Sequence, residues 1–152
     1  MRSGELFHSG VSRLPALRLG SSGDAEMSTI LIVDAFPAVR KALRRLLEKQ
    51  LRSVVCIEAA NGLDAIAKTE ISCPDLVILD LRMPEMNGFE AAAVLQKTMP
   101  QVPLFMFTFH DSREVEPQAA SVGIRAVFSK YTGFSALVAQ AGELLSSCHA
   151  LA

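Results

Sequence analysis

Five short apolar runs punctuate this sequence, at residues 29–34, 54–59, 76–80, 103–108 and 126–129, and a longer stretch with helical spacing follows each one. The runs are rich in Ile, Val, Leu or Phe and are bounded by turn residues, which predicts strands. Their apolarity is continuous instead of alternating, so both faces of each strand are expected to be buried. The stretch 37–50 shows the complementary pattern: Val39, Ala42, Leu43, Leu46 and Leu47 share one side, and Arg40, Lys41, Arg44, Arg45 and Lys49 the other. Further helices are predicted from Asn61-Gly62 to about residue 71, from Gly88 to about 99, over 112–122, and from Phe134 to about 147. Strands alternating with helices imply a parallel sheet covered on both sides, because a right-handed crossover returns each strand in the same direction. The expected fold class is α/β, a doubly wound five-stranded parallel sheet of (βα)5 type.

The chain has 152 residues, a length that one core organises. Residues 20–28 read Gly-Ser-Ser-Gly-Asp-Ala-Glu-Met-Ser, a linker-like composition. The expected division is a disordered tail at 1–27, a domain at 28–148 and a short C-terminal tail at 149–152. Two readings of the first 26 residues stay open: an upstream extension of the reading frame ending before Met27, and a short docking arm. No second domain is expected after the fifth helix, so output would come from another protein or from self-association. With 15 Lys+Arg against 16 Asp+Glu, there is no overall basic field, and no direct nucleic-acid partner is expected. The strongly apolar runs fall far short of the ~20 residues a membrane helix needs, so no membrane partner is expected either. Cys56, Cys73 and Cys148 are odd in number and include no CxxC pair, and His8, His110 and His149 show no metal spacing. These features suit a cytoplasmic location with inert thiols at 56 and 73.

In doubly wound sheets the ligand site lies beyond the carboxyl ends of the strands, where the strand order reverses. That filter selects Asp34 after the first strand, Asp80 after the third, Thr108 at the end of the fourth and Lys130 after the fifth. Taken singly, each suits a bland role: a strand-end acid satisfied by turn amides, a β-branched strand residue, a solvated lysine. Together they are what an aspartyl-phosphate site requires. Asp80 can attack phosphorus, a divalent cation held partly by Asp34 can neutralise phosphoryl oxygens, and Thr108 and Lys130 can bind the remaining oxygens.

The residues that carry this pattern are Ile30-Leu-Ile-Val-Asp34, Ala60-Asn-Gly62, Pro74-Asp-Leu-Val-Ile-Leu-Asp80, Asp80-Leu-Arg-Met-Pro84, Asn87-Gly88, Thr108, Gly123 and Lys130. In this text the chain resembles the receiver domain of two-component response regulators, the chemotaxis-type (βα)5 receiver with a flavodoxin-like sheet. The resemblance covers roughly residues 29–147, and its most specific part is the string from Pro74 to Gly88. It implies that Asp80 is the phosphoacceptor for a histidine kinase or phosphotransfer protein, and that Asp34, Asp80 and the main-chain carbonyl of Arg82 hold Mg2+. It further implies that Thr108 and Lys130 sense the phosphoryl group and shift the last strand and the fourth helix. The first helix helps dock the donor in this family, so Arg40, Lys41, Arg44 and Arg45 are candidates for steering an acidic surface.

The pattern departs from the family at several points. Ala35 stands where a second acid is usual, which leaves fewer oxygen ligands and predicts weakened Mg2+ binding. Phe109 follows Thr108 where a small residue is usual and is expected to narrow access to Asp80. Val127 replaces an aromatic ring, Tyr131 a proline, and Pro117 interrupts the fourth helical segment. Phe105, Phe107 and Phe109 share one side of the fourth strand by period-2 spacing. The leading expectation is a phosphoacceptor signalling domain and not an enzyme. The alternative is a phosphorylation-independent pseudo-receiver acting as a constitutive interaction module. An aspartyl-intermediate hydrolase would need an acid or Thr at position 82, where Arg82 stands. A flavin-binding protein would need a phosphate loop after the first strand, which this sequence lacks.

Overall fold

The computed structural model describes residues 26–110 and 112–150. The sequence-predicted N-terminal tail at 1–27 therefore lies almost wholly outside the described residues. Five strands, β1 (Ser28–Val33), β2 (Val54–Ala59), β3 (Leu76–Leu79), β4 (Leu104–Thr108) and β5 (Ile124–Ser129), alternate with five helices. The helices are α1 (Pro37–Gln50), α2 (Gly62–Ser72), α3 (Gly88–Thr98), α4 (Ser112–Ser121) and α5 (Phe134–Ala150). All strand pairs are parallel and the order is β2-β1-β3-β4-β5. The doubly wound (βα)5 sheet is present as expected, and the order reverses between β1 and β3.

Alternate residues of each strand point to opposite faces, and the core divides accordingly. Ile30, Ile32, Leu76, Ile78, Phe105 and Phe107 pack against Leu43 and Leu47 of α1 and Leu137, Val138 and Ala141 of α5. Leu31, Val33, Val77, Leu79, Leu104 and Met106 pack against Ala65 of α2, Ala91, Ala92 and Leu95 of α3, and Val115 and Ala119 of α4. Each large side chain buried this fully contributes about 1.5–3 kcal/mol. The stripe on α1 is narrower than its sequence suggests: Leu43 and Leu47 are buried, whereas Ala42 is exposed.

Local chemistry sets where the helices start. Pro37 occupies the first turn of α1, where its missing N–H costs nothing. Asn61 caps α2 by accepting from Asp64 N at 2.8 Å. Asn87 opens α3 with a reciprocal capping box: its side chain accepts from Glu90 N and Glu90 accepts from Asn87 N, both at 2.9 Å. The glycine after it is obligatory for a different reason, since a Cβ on Gly88 would lie 2.3 Å from the Asp80 carbonyl oxygen. Pro117 lies inside α4 without ending it. α5 runs to Ala150, beyond the expected end near residue 147, because nothing in Leu144–Ser147 stops a helix that still buries Leu145. At the outer edge of the sheet, Cys56 N of β2 donates to Glu48 Oε2 of α1 at 2.9 Å. At the opposite edge, β5 exposes Arg125.

Candidate functional site

The sheet brings the strand-end residues together. Asp80 N donates to Val33 O at 2.9 Å and Asp34 N to Ala59 O at 3.1 Å, so the central ladder continues directly into both acids. Lys130 follows β5, and its N donates to Thr108 O at 2.8 Å. The Lys130 ammonium lies 2.5 Å from Asp34 Oδ2 and 3.1 Å from Asp80 Oδ1. All three side chains are at most 4% exposed. Thr108 is buried beside them, and its Oγ1 accepts from His110 N at 3.2 Å.

Two carboxylates share one ammonium here, so one negative charge is left uncompensated in a buried place. Burial pushes the Asp80 carboxyl above its ordinary value and the neighbouring Asp34 charge pushes the same way, while Lys130 and the Leu81 amide oppose them. Leu81 N donates to Asp80 Oδ1 at 2.8 Å and Phe36 N to Asp34 Oδ1 at 2.9 Å. Lys130 Nζ is thus held between the two carboxylates by ion pairing.

A cavity of about 490 Å³ opens over Asp80, walled by Ala35, Phe36, Met83, Pro84 and Phe109, with Arg82, Asn87, Thr108 and His110 supplying the polar lining. Phe109 does not close it. β4 ends at Thr108, so the alternation that buries Phe105 and Phe107 no longer governs Phe109, which is 47% exposed. Its ring centroid lies 5.0 Å from Lys130 Nζ and 4.9 Å from the Tyr131 ring. Arg82 Nε donates to His110 Nε2 at 2.8 Å, joining the loop after β3 to the loop after β4.

The sequence reading missed two participants and misplaced others. Phe36, at the N-cap of α1, puts its ring 5.9 Å from Lys130 Nζ, and an apolar residue at a capping position is the signal that marked it. Glu58 of β2 binds Arg40 Nε at 3.0 Å and Arg44 Nη1 at 3.1 Å. Burial alone would raise the Glu58 carboxyl, but the two guanidinium groups outweigh it and hold it below its ordinary value. Arg40 Nη1 also donates to the Asp34 carbonyl at 2.6 Å. Arg40 and Arg44 are thus committed to internal contacts, and of the four proposed steering cations only Lys41 and Arg45 are fully outward. Cys56 is buried as expected, with its thiol pushed up to about 12 by desolvation, whereas Cys73 is exposed.

The profile of the response regulator receiver domain matches residues 30–141. Response regulator protein VraR of Staphylococcus aureus is 36% identical over 104 residues, covering 68% of this chain and 49% of its own length. The chain spans about half the length of the curated relatives it matches. Among solved structures, a LuxR-family two-component response regulator from Aurantimonas sp. SI85-9A1 superposes with a TM-score of 0.73 at 26% identity, over 80% of this chain and 86% of that one. The chemotaxis response regulator CheY4 of Vibrio cholerae superposes with a TM-score of 0.69 at 26% identity, over 78% and 98%. With the sheet order, the acids at the switch point and these likenesses in agreement, the chain belongs to the receiver domain family of two-component response regulators.

Proposed function

We propose that Asp80 accepts a phosphoryl group from the phosphohistidine of a histidine kinase or phosphotransfer protein, and that the chain relays the change to a downstream protein or a second copy of itself. One observation supports this reading above the rest: an ammonium wedged between two buried carboxylates at the ends of separate strands, one carboxylate facing a cavity. A buried carboxylate with a perturbed titration, paired to a lysine and facing a cavity, is the arrangement of a reactive site. The Asp80 carboxylate is the nucleophile, Thr108 offers a hydroxyl to a phosphoryl oxygen, and Lys130 offers an ammonium N–H to another. Because Lys130 N is bonded to Thr108 O, movement of either is passed to the other, and from there to α4, β5 and α5. This is a signalling role rather than turnover of a substrate.

Mg2+ enters as the family's cofactor, and the groups that would hold it are Asp34, Asp80 and the Arg82 carbonyl. The donor set fits that ion poorly. Ala35 contributes a methyl where a second acid is usual, Lys130 already engages Asp34 at 2.5 Å, and among the described residues no three His, Cys, Asp or Glu side chains form a metal cage. Among the described residues no helix is long and apolar enough to cross a membrane.

Incubation with acetyl phosphate, read by intact mass, tests the reading. One phosphoryl group should be gained by the wild type and none by Asp80→Asn. No gain in the wild type, with partner binding unchanged by Asp80→Asn, would replace this reading with the constitutive module.

A further inference from the structure

Two cations stand near Asp80. Lys130 Nζ is buried between the Asp34 and Asp80 carboxylates, in ion-pair contact with both. Arg82 lines the cavity over Asp80, and its Nε is anchored on His110 Nε2 at 2.8 Å. The two terminal nitrogens of that guanidinium have no partner among the described residues. The anchor matters because a guanidinium held at one nitrogen keeps its remaining N–H fork pre-organised, the arrangement that binds phosphate oxygens in pairs. Against these donors stands a poor cation cage, with Ala35 in the place of a carboxylate and Asp34 engaged by Lys130.

Phosphoryl transfer is governed by how well charge on the phosphoryl oxygens is neutralised as the bond to the acceptor forms. We propose that in this chain the Lys130 ammonium and the Arg82 guanidinium supply that charge from within, making Arg82 a phosphoryl-binding residue and acceptance on Asp80 largely independent of Mg2+. The inference rests on Asp80 being the phosphoacceptor. In the step itself, an Asp80 carboxylate oxygen forms a bond to phosphorus as the phosphorus–nitrogen bond of the donor breaks, and the electron pair leaves with nitrogen. With phosphoramidate, whose nitrogen already carries three protons, ammonia departs and no proton need be supplied.

The test is labelling by phosphoramidate, followed by intact mass in Mg2+ and in EDTA, with Arg82→Gln and Arg82→Lys beside the wild type. Arg82 is exposed and its main-chain carbonyl survives substitution, so equal melting temperatures are expected and any kinetic change reports the side chain alone. In EDTA the wild type should label within about threefold of its rate in ~10 mM Mg2+, Arg82→Gln should be slower by about tenfold or more, and Arg82→Lys should lose less. Tyr131 is the single tyrosine of a chain without tryptophan, and its ring packs at a tilt against Phe109 beside the site. Its emission should show no saturable response to Mg2+ up to ~10 mM. A wild-type rate that falls more than about tenfold on chelation, an Arg82→Gln variant unchanged in EDTA, or a saturable Tyr131 response within that range would each overturn the inference and leave the acceptor role intact. Absence of wild-type labelling under every condition would overturn both, and so separates failure of the acceptor from failure of the charge assignment.

Discussion

Replacing Asp80 with asparagine should make this protein more stable. Asp34 and Asp80 share one ammonium, and Lys130 lies closer to Asp34, at 2.5 Å against 3.1 Å. The substitution therefore keeps the shorter ion pair and removes the carboxylate left with the weaker share. The 2.8 Å bond from Leu81 N to Asp80 Oδ1 survives, since an amide oxygen accepts as a carboxylate does. Neutralising an incompletely paired buried charge without changing shape should contribute about 1–3 kcal/mol. For a domain of this size that corresponds to a rise in Tm of roughly 4–10 °C. The gain must also depend on pH in one direction. Asp80 in the folded state sits above the ordinary carboxylate value of ~3.9, so the folded wild type holds its proton more tightly than the unfolded chain does. Its penalty is absent below the unfolded value, sets in as pH rises through the interval up to the folded value, and is constant above it. Urea denaturation of wild type and Asp80→Asn at pH steps from about 4 to 7 should show the two curves diverging toward neutrality. A loss of stability at pH 7, or a gain of the same size at every pH, would refute the charge assignment.

Other consequences are equally open to measurement. Ala35→Asp puts an oxygen ligand beside Asp34 and should bring a saturable Mg2+ response of Tyr131 emission below ~10 mM; absence of that response would mean the metal groups are misassigned. Gly88→Ala drives a methyl to within 2.3 Å of the Asp80 carbonyl oxygen and 3.0 Å of Leu81 Cα, and should cost about 2–4 kcal/mol in urea denaturation. Thiol titration of the native protein with an aromatic disulfide at mildly alkaline pH should show Cys73 and Cys148 reacting rapidly. Cys56, with its thiol near 12, should react only on unfolding; a third fast thiol would show that β2 opens.

Much of this was legible in the sequence because its signals are local or act through the sheet's period. Continuous apolar runs identified all five strands, and each acid at a run's end was bound to emerge at the sheet's carboxyl edge once the strands were parallel. What escaped depended on where elements stop and on non-local partners. Phe109 continues the spacing of Phe105 and Phe107, so period alone placed it on their side; the strand ends one residue earlier, and its ring turns over Lys130 instead. Arg40 and Arg44 read as part of a solvated face, because nothing in their own helix announces Glu58 on β2. The Arg82–His110 bond joins residues 28 positions apart, and neither residue carries a local pattern that names the other. Ala35 and Asp34, by contrast, are adjacent, so the absence of a second acid at that strand end was readable directly.

The contact between Glu48 and the Cys56 amide reaches beyond α1 itself. An uncovered sheet margin is a template onto which a foreign strand can be laid, the route by which native proteins grow into fibrils. A carboxylate already seated on an outward amide of β2 takes the place an arriving carbonyl would need, and Arg125 puts a charge along the opposite border. Each border thus carries a feature that disfavours strand-by-strand polymerisation and leaves helices and loops as the better surfaces for pairing between copies.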